Sequence, residues 1–269
     1  PKPSSAASDV YKRQGYSDTR MGASMDSYLN GYNDPRLPVY FQPVTDGDNK
    51  GEYRGVANGM PNPQQEDYKA MSSPNVQEKS TDSPLRWMMA SEVAFLRAEG
   101  AMRGWTAEMG GTAEEFYNKG IELSFLENGL SADAAARDAA DETSKPTDFT
   151  DVSAANTKYN ISALGKIAIK WNSGASEEEQ LERIITQKWI AMFPNGTEAW
   201  SEFRRTGYPR LFPVRYNYPS SGVDTNKQIR RMVFPQSEYS NNGAAVQEAV
   251  KLLGGPDNGG TKLWWDKKN

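Results

Sequence analysis

The chain has 269 residues, with 31 basic and 35 acidic side chains, a net charge of −4, and neither histidine nor cysteine. These absences exclude Ser-His-Asp and Cys-His catalysis, histidine or thiolate metal sites, and disulfides. The charge balance, with no basic cluster beyond short pairs, argues against nucleic-acid binding, and no apolar run approaches the ~20 residues that span a bilayer. A carboxylate pair or an oxygen-ligand cation site stays open as a route to catalysis.

The N-terminal third is predicted to consist mostly of turns and extended segments. Residues 1–14 are polar and patternless, so we expect a non-native or disordered segment there. Between Gly22 and Met60, Gly, Asn, Asp and Pro recur every few positions, which predicts turns around one short helix near residues 25–30. Residues 61–84 are polar and rich in Pro and Ser, which predicts a long surface loop.

A first helix hairpin is predicted over about residues 90–129. Its first helix has small or aromatic residues at helical spacing, namely Ala94, Ala98, Ala101 and Trp105. The second helix opens with Thr112-Ala-Glu-Glu115, the pattern of a capping box. The expected crossing carries residues small enough for close approach, namely Ala98, Gly100, Gly120 and Ser124. A shorter helix is expected over residues 131–141, followed by a polar linker.

A second helix hairpin is predicted over about residues 176–206. The alternating stretch Lys166–Trp171 before it predicts a strand. Ser176-Glu-Glu-Glu179 predicts another capping box, and Pro194-Asn195-Gly196 predicts the turn between the helices. We expect two side chains of the first helix to face two of the second, Trp189 and Met192 against Trp200 and Phe203.

Two adjacent arginines in this hairpin need separate explanations, because neighbouring helical positions differ by about 100°. We interpret Arg204 and Arg205 as part of a structural clamp, with one arginine paired to Glu182 or Glu198. A catalytic or ligand-binding role is the alternative. The predicted clamp residues are Glu182, Trp189, Trp200, Arg204 and Arg205.

The C-terminal part is predicted to contain a short apolar strand and one helix. The strand lies in RRMVFP, and the helix covers about residues 242–253. Asn241 or Asn242 would cap this helix, and Gly254-Gly255 would end it.

Several segments together carry a family resemblance. ASEVAFLRAEGAMRGW, LERIITQKWIAMFPNGTEAWSEFRRTGYPRL and FPQSEYSNN are similar to the SusD/RagB family of nutrient-binding outer-membrane lipoproteins. YLNGYNDPRLPVYFQP and RGVANGM narrow the resemblance to the SusD-like branch. The similarity runs from about residue 15 to the last residue.

The resemblance implies a mainly α fold, in which tetratricopeptide-like helix hairpins carry long irregular loops and a few short strands. Residues 15–269 are then expected to be the C-terminal part of a SusD-like domain, a truncated α/α superhelix. We expect marginal stability for such a part, because a helical-repeat scaffold without its neighbours exposes apolar faces.

The resemblance also implies a function at the cell surface of a Gram-negative outer membrane. Family members hold an oligosaccharide, or in some cases a peptide, and act with a TonB-dependent SusC-like transporter. Full-length members carry a signal peptide and a lipidated cysteine, and they break no bond. We expect no cofactor and name no metal site for this chain.

The ligand contacts do not transfer by motif, so we name loop residues that could contact a sugar. These are Tyr28, Tyr32, Asn33, Asp34, Tyr40 and Tyr53. The alternative for the tyrosines is packing of the loops onto the helices. For the whole chain, the alternatives are a carboxylate-pair glycoside hydrolase and a protein-interaction helical repeat domain.

Overall fold

A computed structural model describes residues 19–60, 68–75, 86–152 and 154–268. The prediction for residues 1–14 lies outside these ranges, and so does most of the predicted loop 61–84. In chain order the α-helices are α1 (Ala23–Gly31), α2 (Leu37–Tyr40), α3 (Ala90–Met102), α4 (Thr106–Met109), α5 (Ala113–Glu127), α6 (Ala132–Ala139), α7 (Glu177–Ala191), α8 (Gly196–Thr206) and α9 (Gln236–Leu253). Short 3-10 turns occur at Ala154–Tyr159 and Pro219–Ser221.

The helical scaffold is built on α3, α5 and α7, which pack on one another. The short helices α4 and α6 pack on α3 and α5 respectively, and α8 packs on α7. The mainly helical fold with two helix hairpins is therefore confirmed. None of the helices in the described ranges is both long enough and apolar enough to cross a membrane.

The helix starts follow their predicted caps, with one difference. At α5 the capping box is complete: the Thr112 hydroxyl accepts the Glu115 amide, and the Glu115 carboxylate accepts the Thr112 amide at 2.7 Å. At α7 the Ser176 hydroxyl accepts the Glu179 amide, but the Glu179 carboxylate pairs with Arg183 at 2.6 Å. Half of the second predicted box is thus replaced by an ion pair within the helix.

The close approach of α3 and α5 depends on Gly120. A Cβ atom at this position would lie 2.6 to 2.8 Å from ring atoms of Phe95, closer than real contacts allow. Ala98 of α3 and Ser124 of α5, two of the small residues predicted for this crossing, are both fully buried. Gly100 instead faces Met109 of α4, so its small size serves a different contact.

The predicted strand at Lys166–Trp171 is wrong, and the reason lies in its backbone carbonyls. Side chains of the surrounding helices satisfy these groups: Tyr32 binds the carbonyl of Ile167, and Tyr117 binds that of Ile169. Arg183 binds the carbonyl of Lys170. The segment bends at Ile169 and Lys170, and the three donor side chains take the place of a second strand as partners of its carbonyls.

The predicted C-terminal strand is also wrong, and α9 begins earlier than expected. The amide of Arg230 binds the carbonyl of Gly259, and the amide of Phe234 binds Asp257, so a loop takes the place of a partner strand. The last helix starts at Gln236 after Pro235 and has non-helical dihedral angles at Asn242. The predicted cap thus marks a kink inside the helix. Within the described residues, extended pairing is limited to isolated bridges.

Two hydrophobic cores divide the molecule into layers. The larger core joins α1, α2, α3, α5 and α7. The smaller core is formed mostly by loops, and we call the segments it holds together the loop layer. Its buried residues are Ala23, Val44, Ala57, Met60, Tyr68, Met71, Phe149, Tyr159 and Phe212. Tyr68 and Met71 fall in the stretch predicted to be a surface loop, so the described part of that stretch packs against the body.

Candidate functional site: a loop face with a polar cleft and two exposed tyrosines

Three of the tyrosines predicted to contact a ligand lie in the larger core. Tyr28, Tyr32 and Tyr40 are each no more than 2% exposed. The Tyr28 ring lies 5.6 Å from that of Trp189, and the Tyr40 ring lies 4.9 Å from that of Phe193. None of the three rings can stack on a sugar in this arrangement, because helix side chains cover their faces. The packing alternative describes them.

Of the two predicted polar contacts, Asp34 is buried and Asn33 is exposed. Asp34 is buried and pairs with the fully buried Arg36 at 2.6 Å. Arg36 also donates to Ser124 of α5 and Gln187 of α7, so the pair joins the α1–α2 turn to both helices. Asn33 is exposed, with a left-handed φ of 51° that suits the turn. Of this pair, only Asn33 is accessible to a ligand.

Tyr53 is the remaining predicted contact, and it lines an open cleft of about 320 Å³. We call this the Tyr53 cleft. Its lining residues are Asp26, Asn30, Glu52, Tyr53, Arg54, Thr147, Asp148 and Thr150. Carboxylates, a guanidinium, an amide and hydroxyls are the groups that recognise hydroxyl-rich ligands.

The inner wall of the Tyr53 cleft is fixed by Asp26 of α1. Its carboxylate accepts the amide of Gly55 at 2.6 Å and the side-chain amide of Asn30 at 2.7 Å. Burial raises the pKa of Asp26, while the two hydrogen bonds and Arg54 oppose the shift. Arg54 donates to the carbonyl of Thr150 at 2.6 Å, which joins the two sides of the cleft.

Two tyrosines that sequence reasoning missed are exposed on the loop after α8. Tyr216 is 45% exposed and Tyr218 is 73% exposed. Their rings are 5.5 Å apart and meet edge to face. Paired, exposed rings of this kind are an apolar surface that a flat sugar face can cover. The sequence signal was the alternation in RYNYPSSG, where Tyr residues stand among turn-forming residues.

The Tyr216–Tyr218 pair is held by backbone hydrogen bonds on one side. The amide of Arg215 binds the carbonyl of Asn58 at 2.9 Å, and the amide of Val214 binds that of Thr225 at 3.1 Å. Gly59, with φ +73°, lies so close to Val214 that a Cβ atom would overlap it. The tyrosine loop is therefore seated against the loop that follows Tyr53 in the chain.

A short series of contacts joins the tyrosine pair to the Tyr53 cleft. The Arg215 guanidinium donates to the carbonyl of Asn160 at 3.1 Å, and the Asn160 side chain accepts the amide of Asp151 at 2.8 Å. Asp151 directly follows Thr150 in the cleft wall. We call the cleft and the tyrosine pair, which this series of contacts connects, the loop face. Together they combine aromatic rings with hydrogen-bonding groups.

Another cleft, of about 730 Å³ and so larger than the Tyr53 cleft, lies between α5 and α6 and is a weaker candidate. Alanines of α6 form one of its sides, and charged residues such as Glu115 and Lys170 form others. Glu115 is used in the α5 capping box, and Lys170 pairs with Glu142 at 2.7 Å. Its one aromatic residue, Trp171, is buried. The loop face offers exposed rings that this cleft lacks.

Arg205, one of the predicted clamp residues, pairs with carboxylates other than those expected. Its guanidinium binds both oxygens of Glu99 on α3 at 2.6 Å and also Glu202 at 2.6 Å. Arg103 adds a second cation to Glu99 at 2.7 Å. Burial raises the pKa of Glu99, but the bonds from the two arginines outweigh burial and hold that pKa below its ordinary value. The contact joins the two hairpins, which spacing within one hairpin could not reveal.

Arg204 points in a different direction from Arg205 on α8 and contacts aromatic rings and the C-terminal segment. Its guanidinium lies 3.5 Å from the centre of the Trp200 ring and 4.8 Å from that of Trp265. It donates to the carbonyl of Arg230 at 2.9 Å, and Arg230 donates back to the carbonyl of Arg204 at 3.0 Å. Arg230 in turn pairs with the buried Asp266. Arg204 thus fixes the C-terminal segment onto the second hairpin.

The two acidic candidates for the clamp have other partners. Glu182 lies 3.7 Å from Arg210, and burial raises its pKa while Arg210 opposes the shift. Glu198 binds Lys188 at 2.9 Å, a lysine that is itself buried and also binds Glu202. In the described part of the chain, no three acidic side chains come close enough together to hold a metal ion.

The fold and the loop face define a class of protein: a helical-hairpin scaffold that carries long, packed loops. The model of the SusD-like family, described as SusD and RagB outer membrane lipoprotein, matches residues 5–266. The chain belongs to this family. The family description places it at the outer membrane.

Solved structures give the same assignment. A chitin-binding SusD homolog from Flavobacterium johnsoniae is 41% identical, with a TM-score of 0.88, over 96% of this chain and 52% of that chain. A SusD homolog from Bacteroides thetaiotaomicron is 39% identical, with a TM-score of 0.86, over 98% of this chain and 55% of that one. One from Bacteroides vulgatus is 38% identical, with a TM-score of 0.88, over 95% and 51%. This chain therefore spans about half the length of the structures it matches. A comparison with curated proteins gives no match.

Proposed function

We propose that this chain forms the binding face of a cell-surface protein that holds an oligosaccharide and delivers it to a TonB-dependent SusC-like transporter. The observation that carries the proposal is the exposed Tyr216–Tyr218 pair, which a series of hydrogen bonds connects to the hydroxyl- and carboxylate-lined Tyr53 cleft. Membership in the SusD-like family and the chitin-binding homolog support the choice of a sugar ligand. A lipid anchor outside these residues would hold the protein at the membrane.

In the proposed binding mode, the two parts of the loop face make different kinds of contact with the sugar. The tyrosine rings would cover the apolar faces of sugar rings, and the cleft would bond their hydroxyls. Asn33 and Tyr53, the accessible members of the predicted set, remain proposed contacts. The cleft's hydrogen-bonding groups are already oriented by their own bonds, which lowers the ordering cost of binding.

The proposal is tested by replacing Tyr216 and Tyr218 together with alanine. Loss of an aromatic contact costs about 0.5–1.5 kcal/mol for each ring, so affinity for an N-acetylglucosamine hexamer should fall roughly five- to 150-fold. Isothermal titration calorimetry measures it. Trp87→Ala is the control, since Trp87 is an aromatic residue that is more exposed than either tyrosine and lies just before the first hairpin. Equal losses in both variants would contradict the assignment.

A carboxylate-pair hydrolase is the alternative that the clamp geometry disfavours. Glu99 and Glu202 lie on either side of Arg205, and each accepts bonds from two cationic side chains, so neither is placed to give or take a proton. Release of reducing ends from a polysaccharide panel would instead support hydrolysis. Binding of a peptide, or co-purification of a transporter without any glycan affinity, would support the remaining alternatives.

A further inference from the structure

We propose that the Tyr53 cleft selects neutral and amine-bearing sugars and disfavours glycans that carry carboxylate or sulfate groups. The inference rests on the proposed function, because it assumes that the loop face binds a glycan. It adds the charge class of that glycan. The argument comes from which charges of the cleft are already neutralised by protein contacts and which still face solvent.

The single cation among the eight lining residues is used within the protein. Arg54 donates to the carbonyl of Thr150 at 2.6 Å, and its guanidinium lies 3.8 Å from Asp26 and 3.7 Å from Glu52. Its side chain is only 24% exposed. An incoming carboxylate or sulfate would have to compete with two protein carboxylates for the same guanidinium.

The acidic side chains of the cleft outnumber this cation. Asp26 forms the inner wall, and Asp26 and Glu52 both lie within 4 Å of the Arg54 guanidinium, so one cation faces three carboxylates in the cleft. Glu52 has a side chain that is 58% exposed, and Asp148 is exposed while accepting the amide of Ala163 at 2.8 Å. Two carboxylates therefore remain at the rim facing solvent. The potential at the cleft mouth is negative, which attracts ammonium groups and repels anions.

The rest of the chain does not reverse this potential. The net charge is −4, and the larger cleft between α5 and α6 also carries more acidic than basic residues. Neither the net charge nor that second cleft offers a positive field that would offset the repulsion at the Tyr53 cleft. Electrostatic complementarity acts on the choice between partners more than on total affinity, so the effect should appear as selectivity.

The test compares three hexasaccharides of similar size on the full 269-residue chain: N-acetylglucosamine, glucosamine at a pH that protonates its amines, and galacturonate. The variant is the double substitution Glu52→Gln and Asp148→Asn, which keeps side-chain shape and removes two charges. The readout is each charged hexamer's affinity divided by that of the neutral hexamer. This ratio cancels general effects of the substitutions on sugar binding.

We expect the wild-type chain to bind galacturonate at least about tenfold more weakly than the neutral hexamer. In the double variant the galacturonate ratio should rise, and the glucosamine ratio should fall, by about two- to fivefold for each carboxylate removed. Both differences should shrink in about 1 M salt, where charges are screened beyond roughly 3 Å.

A control of equal charge separates the cleft from the net charge. Glu122→Gln with Glu248→Gln also removes two partly exposed carboxylates, but outside the Tyr53 cleft. It should leave all ratios as in the wild-type chain. Equal changes in both double variants, or galacturonate bound as tightly as the neutral hexamer, would overturn the inference alone. Failure of every hexamer to bind would overturn the proposed function and this inference with it.

Discussion

Asp138 of α6 is a buried carboxylate whose charge is poorly compensated. One of its oxygens is buried without a hydrogen-bond partner among the described residues. Burial raises its pKa to about 7, and the nearby Asp34 adds to the shift while Arg36 opposes it. Its folded pKa lies above its ordinary value of 3.8, so the folded state is favoured when Asp138 is protonated. This contribution is fully present below about pH 4 and is lost as the pH rises towards 7.

Replacement of Asp138 by asparagine should therefore stabilise the chain at high pH. We expect the free energy of unfolding to rise by a few kcal/mol at about pH 8 and to change little at about pH 4.5, since each unit of pKa shift is worth about 1.4 kcal/mol. Urea unfolding at both pH values measures the difference. Asp133→Asn, at the exposed start of the same helix, serves as the control. A gain of the same size at both pH values would show that charge is not the cause.

Arg205 of α8 joins its helix to α3 by binding Glu99. Arg103, the second arginine that binds Glu99, lies at the C-terminal end of α3 itself. Arg205→Ala leaves the buried Glu99 with only Arg103, so we expect a loss of about 1–3 kcal/mol in the free energy of unfolding. Arg103→Ala removes a pair between residues four apart on one helix, worth about 0.3–0.5 kcal/mol. Chemical unfolding near neutral pH compares the two variants.

The Arg205–Glu99 ion pair determines how the loss of stability in Arg205→Ala should vary with pH. The folded pKa of Glu99 lies below its ordinary value of 4.5, so the stabilising contribution is present above that pH and is lost as the pH falls. The difference between wild type and Arg205→Ala should narrow in acid. An Arg103→Ala loss equal to that of Arg205→Ala would contradict the role of the contact between the hairpins.

Elements that depend on local sequence were the ones that could be predicted. The capping box at Thr112 and the turn residues at Pro194-Asn195-Gly196 specify helix boundaries within a few residues of themselves. The Lys166–Trp171 segment has the alternation of a strand, but its carbonyl partners come from Tyr32, Tyr117 and Arg183, which are distant in sequence. Pattern alone carries no information about such partners.

The candidate site was harder to predict than the helices for the same reason. A tyrosine among turn-forming residues looks the same in the sequence whether its ring packs inward, as that of Tyr28 in α1 does, or outward, as that of Tyr218 does. The choice depends on how segments near residues 58, 150, 160 and 215 meet in the loop layer. The pairing of Arg205 with Glu99 is likewise a contact between hairpins, and neither hairpin alone indicates it.

At the scale of the whole molecule, the two cores predict two levels of local stability. The larger core is crossed by helices with regular backbone bonds, while the loop layer has a smaller core and isolated bridges. Local opening costs less where buried contacts and backbone bonds are fewer. Amides of α5 and α7 should therefore exchange with solvent more slowly than those of residues 40–60.

Ligand binding should narrow the difference in amide exchange between the helices α5 and α7 and the loop layer. A bound oligosaccharide on the loop face would raise the opening free energy of the loop layer and leave α5 and α7 nearly unchanged, because it stabilises only states in which the face is formed. Hydrogen-exchange mass spectrometry with and without the N-acetylglucosamine hexamer measures both effects. Protection gained first in the helices would place the ligand elsewhere.

The close contact between Gly59 and Val214 limits how this surface can be redesigned. Not even a methyl group can be added at position 59 without moving the segment that carries the paired rings. New ligand preferences are therefore best sought by varying positions 216 and 218 themselves, whose side chains have room to change. In a library that randomises Gly59, most variants would have a displaced tyrosine loop.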